Sequence, residues 1–206
     1  MVRMIKAIVA GAALVVGSAA AAAQADAQTW RFNLTEATNT PSPVETTGCG
    51  MAMLTFNGSA FRVQANWQNL VSPTTVAHIH CCTMLPREGQ AGVASQVPTF
   101  FGFPGRPDLP GGAPGVLAGT YDRTFTIAEF FNPGFVGTES LEMATMRLVD
   151  GLNSGRAYLN IHTVQYPAGE INGFASAVIP EPSTYALLGT GIAGLGLVAR
   201  RRRSRA

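Results

Sequence analysis

One stretch, Ala77-His78-Ile79-His80-Cys81-Cys82, indicates which face of a predicted strand packs on the core. It holds two of the three histidines and two of the three cysteines. Side chains alternate between the two faces of a β-strand, so His78 and His80 share one face while Ala77 and Ile79 share the other. If the apolar face packs on the core, both imidazoles point away from the core.

The third histidine lies in a second run with the same alternation, Tyr158-Leu159-Asn160-Ile161-His162-Thr163. Leu159 and Ile161 take the apolar face, and His162 shares the opposite face with Tyr158 and Asn160. If the two strands are neighbours, the three imidazoles form one cluster. Clustered imidazoles suit zinc, copper or nickel. The candidate ligands are His78, His80 and His162, with Cys82 and Glu170 as further candidates.

A polar network is the leading interpretation of this cluster. In such a network each imidazole hydrogen-bonds a neighbouring strand or loop, because buried polar groups need partners. A bound copper or zinc ion, with or without redox activity, is the alternative, and the cofactor is left open. We find no convincing Ser-His-Asp arrangement and no phosphate-binding glycine motif, so we favour a non-enzymatic role.

Short strands dominate the rest of the central region. Residues 51–56 and 61–67 flank Asn57-Gly58, a strong hairpin signal, and residues 157–164 and 170–178 flank a second turn. One helix is expected over about residues 139–149. These elements predict an all-β fold, an antiparallel β-sandwich of the immunoglobulin or superoxide dismutase type with one short helix. The long Pro- and Gly-rich segment 83–119 is expected either to cover the sandwich or to form a mobile excursion from it.

The N-terminal residues 1–27 have the features of a signal peptide. Arg3 and Lys6 precede an apolar run, and small-residue cleavage patterns follow it. We expect cleavage after Ala27. Residues 28–179 then contain seven arginines, no lysine and ten acidic residues, hence a net charge of −3. This charge does not favour nucleic acid as a partner.

The C-terminal residues 179–206 combine three features in a fixed order. They are Pro180-Glu181-Pro182, an uncharged stretch at 185–199 expected to form a transmembrane helix, and a terminal arginine cluster. This order resembles the PEP-CTERM sorting signal of Gram-negative bacteria. The resemblance implies an exosortase-type membrane protease as partner, transient anchoring in the inner membrane, and processing near Pro180, Glu181 and Pro182. It also implies a final location at the cell surface or in the extracellular matrix.

The cysteines are consistent with export, because three cysteines in an exported chain allow one disulfide and leave one thiol over. A ring closed by the adjacent residues Cys81 and Cys82 is strained. We therefore expect Cys49 to pair with Cys81 or Cys82, without deciding between the two.

Three motifs in order, Ala77-His78-Ile79-His80, Tyr158-Leu159-Asn160-Ile161-His162-Thr163 and Gly169-Glu170-Ile171-Asn172-Gly173, resemble the CHRD domain over residues 28–178. Asn172 stands where that family commonly has arginine. The His-x-His pattern also resembles the copper-zinc superoxide dismutases, over three residues. The CHRD resemblance implies a binding or structural module, with extracellular polysaccharide or a surface protein as candidate partners.

Overall fold

The computed structural model describes residues 27–37, 44–178, 188–193 and 195. The predicted signal peptide lies outside the described residues except for Ala27, and so does the sorting motif Pro180-Glu181-Pro182. Of the predicted membrane helix, residues 188–193 and 195 are described, and they are helical. Within the described part of the chain, no helix has the length and apolarity needed to cross a membrane.

Seven strands form one antiparallel sheet, in the order β4-β6-β7-β1-β2-β3-β5. Each strand therefore pairs only with strands that run opposite to it. This architecture confirms the all-β, sandwich-like class predicted from the sequence. The strands are β1 (Gln28–Glu36), β2 (Cys49–Phe56), β3 (Ala60–Gln68), β4 (Thr74–His80), β5 (Gly119–Thr126), β6 (Tyr158–Thr163) and β7 (Ile171–Val178).

Alternation of side chains places one face of the sheet in the core. In β1 the residues Trp30, Phe32 and Leu34 are buried while the residues between them are exposed. The predicted hairpin joins β2 to β3, with Oδ1 of Asn57 accepting from two backbone amides and Gly58 at a φ of 91°. Only a residue without Cβ adopts that φ readily, which explains the Asn-Gly signal.

The long segment between β4 and β5 connects the two edge strands of the curled sheet. Phe100 donates its N–H to the carbonyl of Ala77 in β4, and its ring packs against Tyr121 and Phe125 in β5. Further along β4, the carbonyl of Ile79 accepts backbone hydrogen bonds from Ala94 and Ser95 of this segment. The segment thus covers the free edge of β4, as edge strands require, and it fills the core between the two edges.

Three helices follow β5 rather than the one that the sequence predicted. They are α1 (Ile127–Phe130), α2 (Pro133–Val136) and α3 (Leu141–Asn153). The two short helices begin at local caps, a capping box of Thr126 with Glu129 and an Asn132-Pro133 start. These signals are visible in the sequence, but each helix is only four residues long and has no periodic pattern.

The third helix continues past the end predicted at residue 149. Gly151, two residues beyond the predicted end, lies inside the helix and is buried. A Cβ there would lie 2.6 Å from Sγ of Cys82 and closer still to Sγ of Cys81. The glycine therefore permits close packing of the helix against the two cysteines, and it does not end the helix.

The cysteine pairing differs from the one predicted. Cys81 is bonded to Cys82, and Cys49 is a free thiol. The strand order explains the difference, because β2, which begins at Cys49, is separated from β4 by β6, β7 and β1. Cys49 lies instead beside the side chain of Gln68 on β3.

Candidate metal centre

The three histidines lie together on the outer face of two adjacent strands, as the alternation predicted. Strands β4 and β6 pair directly, with Val76 opposite His162 and His78 opposite Asn160. The alternate residues of both strands belong to the core cluster. Each histidine is nevertheless buried, with 7% of His78, 9% of His80 and 8% of His162 exposed, because loops cover this face.

Each imidazole has one nitrogen against a backbone carbonyl of a covering loop. Nε2 of His78 lies 2.6 Å from the oxygen of Pro98. Nδ1 of His80 lies 2.9 Å from the oxygen of Ala91, and Nδ1 of His162 lies 2.8 Å from the oxygen of Pro167. A carbonyl oxygen only accepts hydrogen bonds, so each of these nitrogens carries the ring proton and donates it.

The remaining nitrogens are therefore unprotonated in the neutral rings, and their lone pairs face one another. They are Nδ1 of His78, Nε2 of His80 and Nε2 of His162. The first and the last are 3.4 Å apart, and one ligand atom from each of the three residues lies within 4.8 Å of the other two. Two neutral rings cannot form a hydrogen bond to each other here, because neither of the facing nitrogens carries a proton to donate.

Burial keeps these rings neutral. It is the main cause that lowers the pKa of His78 to about 4, with the neighbouring His162 as the next contributor. Burial also lowers the pKa of His80 to about 4 and lowers the pKa of His162, although a carbonyl hydrogen bond acts against it at each site. At neutral pH the site therefore consists of three uncharged imidazoles, the protonation state in which histidine binds metals.

The spacing of one nitrogen pair and the chemistry of all three residues fit a tetrahedral transition metal ion. Zinc–nitrogen bonds of about 2.0–2.1 Å at tetrahedral angles place two ligand nitrogens about 3.3 Å apart, close to the 3.4 Å between His78 and His162. Metal-binding histidines usually donate their other N–H to a carbonyl or carboxylate, which orients the ring. All three histidines do so here. The absence of a partner for the buried Nε2 of His80 is explained if that atom is a ligand.

The two further ligand candidates do not join the cluster. Cys82 is in the disulfide with Cys81. Glu170 is fully buried but faces away from the histidines, because its carboxylate accepts hydrogen bonds from Thr46, Val71 and Thr163. Thr163 follows His162 and so lies on the opposite face of β6. Glu170 therefore links the loops that carry Thr46 and Val71 to β6, on the face of the sheet opposite the histidines.

Two other residues of β6 border the cluster. The ring of Tyr158 stacks on His80 at 4.7 Å between centroids, with 4° between the planes. Asn160 donates from Nδ2 to the carbonyl of Ala168, while its buried Oδ1 has no partner. The alternation already placed both side chains on the histidine face, but it gave no reason to assign either of them a role.

The fold and the site define a class of protein, an all-β domain with a buried cluster of three histidines on one sheet face. The chain belongs to the CHRD domain family, whose family model matches residues 30–175. A second family model, the PEP-CTERM protein-sorting motif, matches residues 178–203. Neither the search of curated proteins nor that of solved structures found a match.

The sorting motif carries the information on destination. It implies that an exosortase, a membrane enzyme, recognises the chain during sorting. It also implies export with transient membrane anchoring through the C-terminal tail. The histidine cluster thus belongs to an exported domain.

Proposed function

We propose that this protein is a non-enzymatic binding component of the cell surface or extracellular matrix, and that its CHRD domain binds one zinc or copper ion. His78, His80 and His162 are the ligands. The observation that carries the proposal is the convergence of three lone pairs, each fixed by a carbonyl hydrogen bond on the far side of its ring.

Electrostatics supports the same conclusion. Without a cation, three electron-rich nitrogens are buried in close proximity, and a proton shared by two of them would place a charge where burial disfavours it. A metal ion replaces that repulsion with three coordinate bonds. The covering loops already orient the three rings.

A structural role without metal is the second candidate. The hydrogen bonds to Pro98, Ala91 and Pro167 fasten two stretches of the long segment and the β6–β7 turn to the sheet. This polar network alone would position those loops for binding a polymer or a surface protein. In that case the histidines stabilise the domain equally well in the presence of a chelator.

Metal analysis of the exported protein, purified without a polyhistidine tag, distinguishes the two candidates. The chain has only three histidines, so every imidazole ligand comes from the cluster. We expect about one zinc or copper ion per chain and a melting temperature that falls on chelation and recovers on adding metal. His162→Gln should abolish both effects, whereas Asn66→Ala, on the exposed face of β3, should change neither. A parent protein that binds no metal, with a melting temperature insensitive to chelator, would contradict the metal proposal.

A further inference from the structure

In the part of the chain that the structure describes, the cluster supplies three ligands. Among the residues that the structure describes, no aspartate, glutamate or cysteine joins the three histidines. Structural zinc sites usually have four protein ligands, whereas sites with three protein ligands keep a position for water or another small ligand. A metal bound here therefore has an open coordination position.

Charge indicates what occupies that position. The imidazoles are neutral, so a divalent ion adds two uncompensated positive charges to a buried site. The candidate carboxylate of Glu170 is turned to the opposite face of the sheet and hydrogen-bonded there. An unpaired buried charge is unfavourable, and a divalent ion acidifies the water that it binds. Both effects favour water or hydroxide over a neutral ligand that cannot lose a proton.

Asn160 has a buried acceptor on the same face of the sheet as the histidines. It lies opposite His78 in the β4–β6 pairing and two residues before His162 on the same face. Its Nδ2 donates to the carbonyl of Ala168, which determines the orientation of the amide. Its Oδ1 is left buried without a partner, in a residue only 3% exposed. Of the three buried side-chain atoms without a partner in the described residues, two are on this face, this oxygen and Nε2 of His80.

We propose that the open position holds an exogenous oxygen ligand, water or hydroxide, and that Asn160 Oδ1 accepts a hydrogen bond from it. This inference rests on the metal binding proposed above. Asn160 is then a specificity-determining residue. It favours a ligand that carries a proton over an anion of similar size that carries none.

Azide provides the test, because it binds metals as an anion but has no proton to donate to Asn160. The exported protein is purified without a polyhistidine tag, loaded with cobalt(II) or copper(II), and titrated with azide at one fixed pH. A change in the visible spectrum reports azide binding. Azide must displace the oxygen ligand, which in Asn160→Leu has lost one hydrogen bond. We expect azide affinity to rise about three- to tenfold in that variant and to stay unchanged in Asn66→Leu.

The possible failures are distinguishable. If the protein takes up no metal, the proposed function is wrong and this inference falls with it. If metal binds but azide leaves the spectrum unchanged, the open position is refuted. If azide binds equally well to the parent and to Asn160→Leu, the role of Asn160 is refuted.

If Asn160→Leu does not fold, Asn160→Ala replaces it, and the same rise in azide affinity is expected.

The copper(II) form of the parent protein adds a measurement that needs no variant. Pulsed electron paramagnetic resonance in H₂O and D₂O should detect an exchangeable proton coupled to the ion more strongly than the ring N–H protons of the three histidines, and azide should remove that signal. A spectrum without such a strongly coupled proton would overturn the proposal.

Discussion

Nδ1 of His78 lies 3.4 Å from Nε2 of His162, although the proton of each ring is donated to a carbonyl on its far side. Two lone pairs therefore face each other across a distance only slightly longer than a typical hydrogen bond. The relationship is created by two loops, one carrying Pro98 and the other Pro167. The loops therefore select the tautomers that make the cluster a candidate metal centre.

Acid should destabilise the metal-free domain. The pKa of His78 and that of His80 are lowered to about 4 in the folded protein, whereas the unfolded value is about 6.5. Between those values the unfolded chain binds more protons, so the free energy of unfolding falls as pH falls through that window. Each ring contributes on the order of 3 kcal/mol across it. Urea unfolding in chelator from pH 7.5 to pH 4 measures the effect.

The comparison with His80→Gln separates the histidines from the acidic residues that titrate near the lower end of this window. In the variant, the free energy of unfolding should depend less steeply on pH between 6.5 and 4. The slope should fall by the equivalent of about one bound proton. An equal slope in the parent and in the variant would show that His80 is not held neutral by burial.

Glu170→Gln should destabilise the domain by about 1–3 kcal/mol. The Glu170 carboxylate accepts from the hydroxyls of Thr46 and Thr163 and from the N–H of Val71. A glutamine would present its own N–H group to at least one donor and leave that donor unsatisfied. Glu36→Gln, at the exposed end of β1, is the matched control and should be nearly neutral. Chemical denaturation measures both, and equal stabilities would refute the role assigned to Glu170.

Gly151→Ala should cost about 1–3 kcal/mol, because its methyl group would meet the sulfur atoms of Cys81 and Cys82. Alanine otherwise favours a helix over glycine. Gly134→Ala, in α2 with its nearest neighbouring atom at 3.4 Å, should therefore be neutral or slightly stabilising. Urea unfolding compares the two variants. A penalty for Gly151→Ala that persists undiminished after both cysteines are changed to alanine would contradict the packing explanation.

The protein recovered from cells should lack both ends of the chain. Intact-mass analysis should find cleavage near Ala27 and near Pro180–Pro182, as the signal-peptide pattern predicts and the sorting motif implies. Glu181→Ala should disturb the motif that the exosortase recognises. The C-terminal tail should therefore stay attached in this variant. A full-length chain with its arginine tail, found at the cell surface, would contradict the exosortase route.

The predictions that succeeded depended on alternation. The face shared by His78 and His80 follows from their spacing alone, and so does the face of His162. The hairpin at Asn57-Gly58 likewise follows from local backbone preferences. Clustering of the histidines required in addition that the two strands be neighbours, a condition that the pairing of β4 with β6 meets.

The predictions that failed concerned contacts between residues distant in sequence. The partner of Cys49 and the direction of Glu170 depend on strand order, which local patterns do not encode. The end of α3 was misplaced for a related reason. Gly151 resembles a helix stop locally, but its small size is required by the cysteines that pack against it.

The sequence by itself determined which side chains share the histidine face, the all-β class and the sorting motif at the C-terminus. Each of these depends on neighbours along the chain. Only the tertiary structure decided which carbonyls accept hydrogen bonds from the rings and which tautomers result. It alone also left Oδ1 of Asn160 buried without a partner. These features arise where loops meet the sheet, and the energy of a buried polar group depends on the partner that folding brings to it.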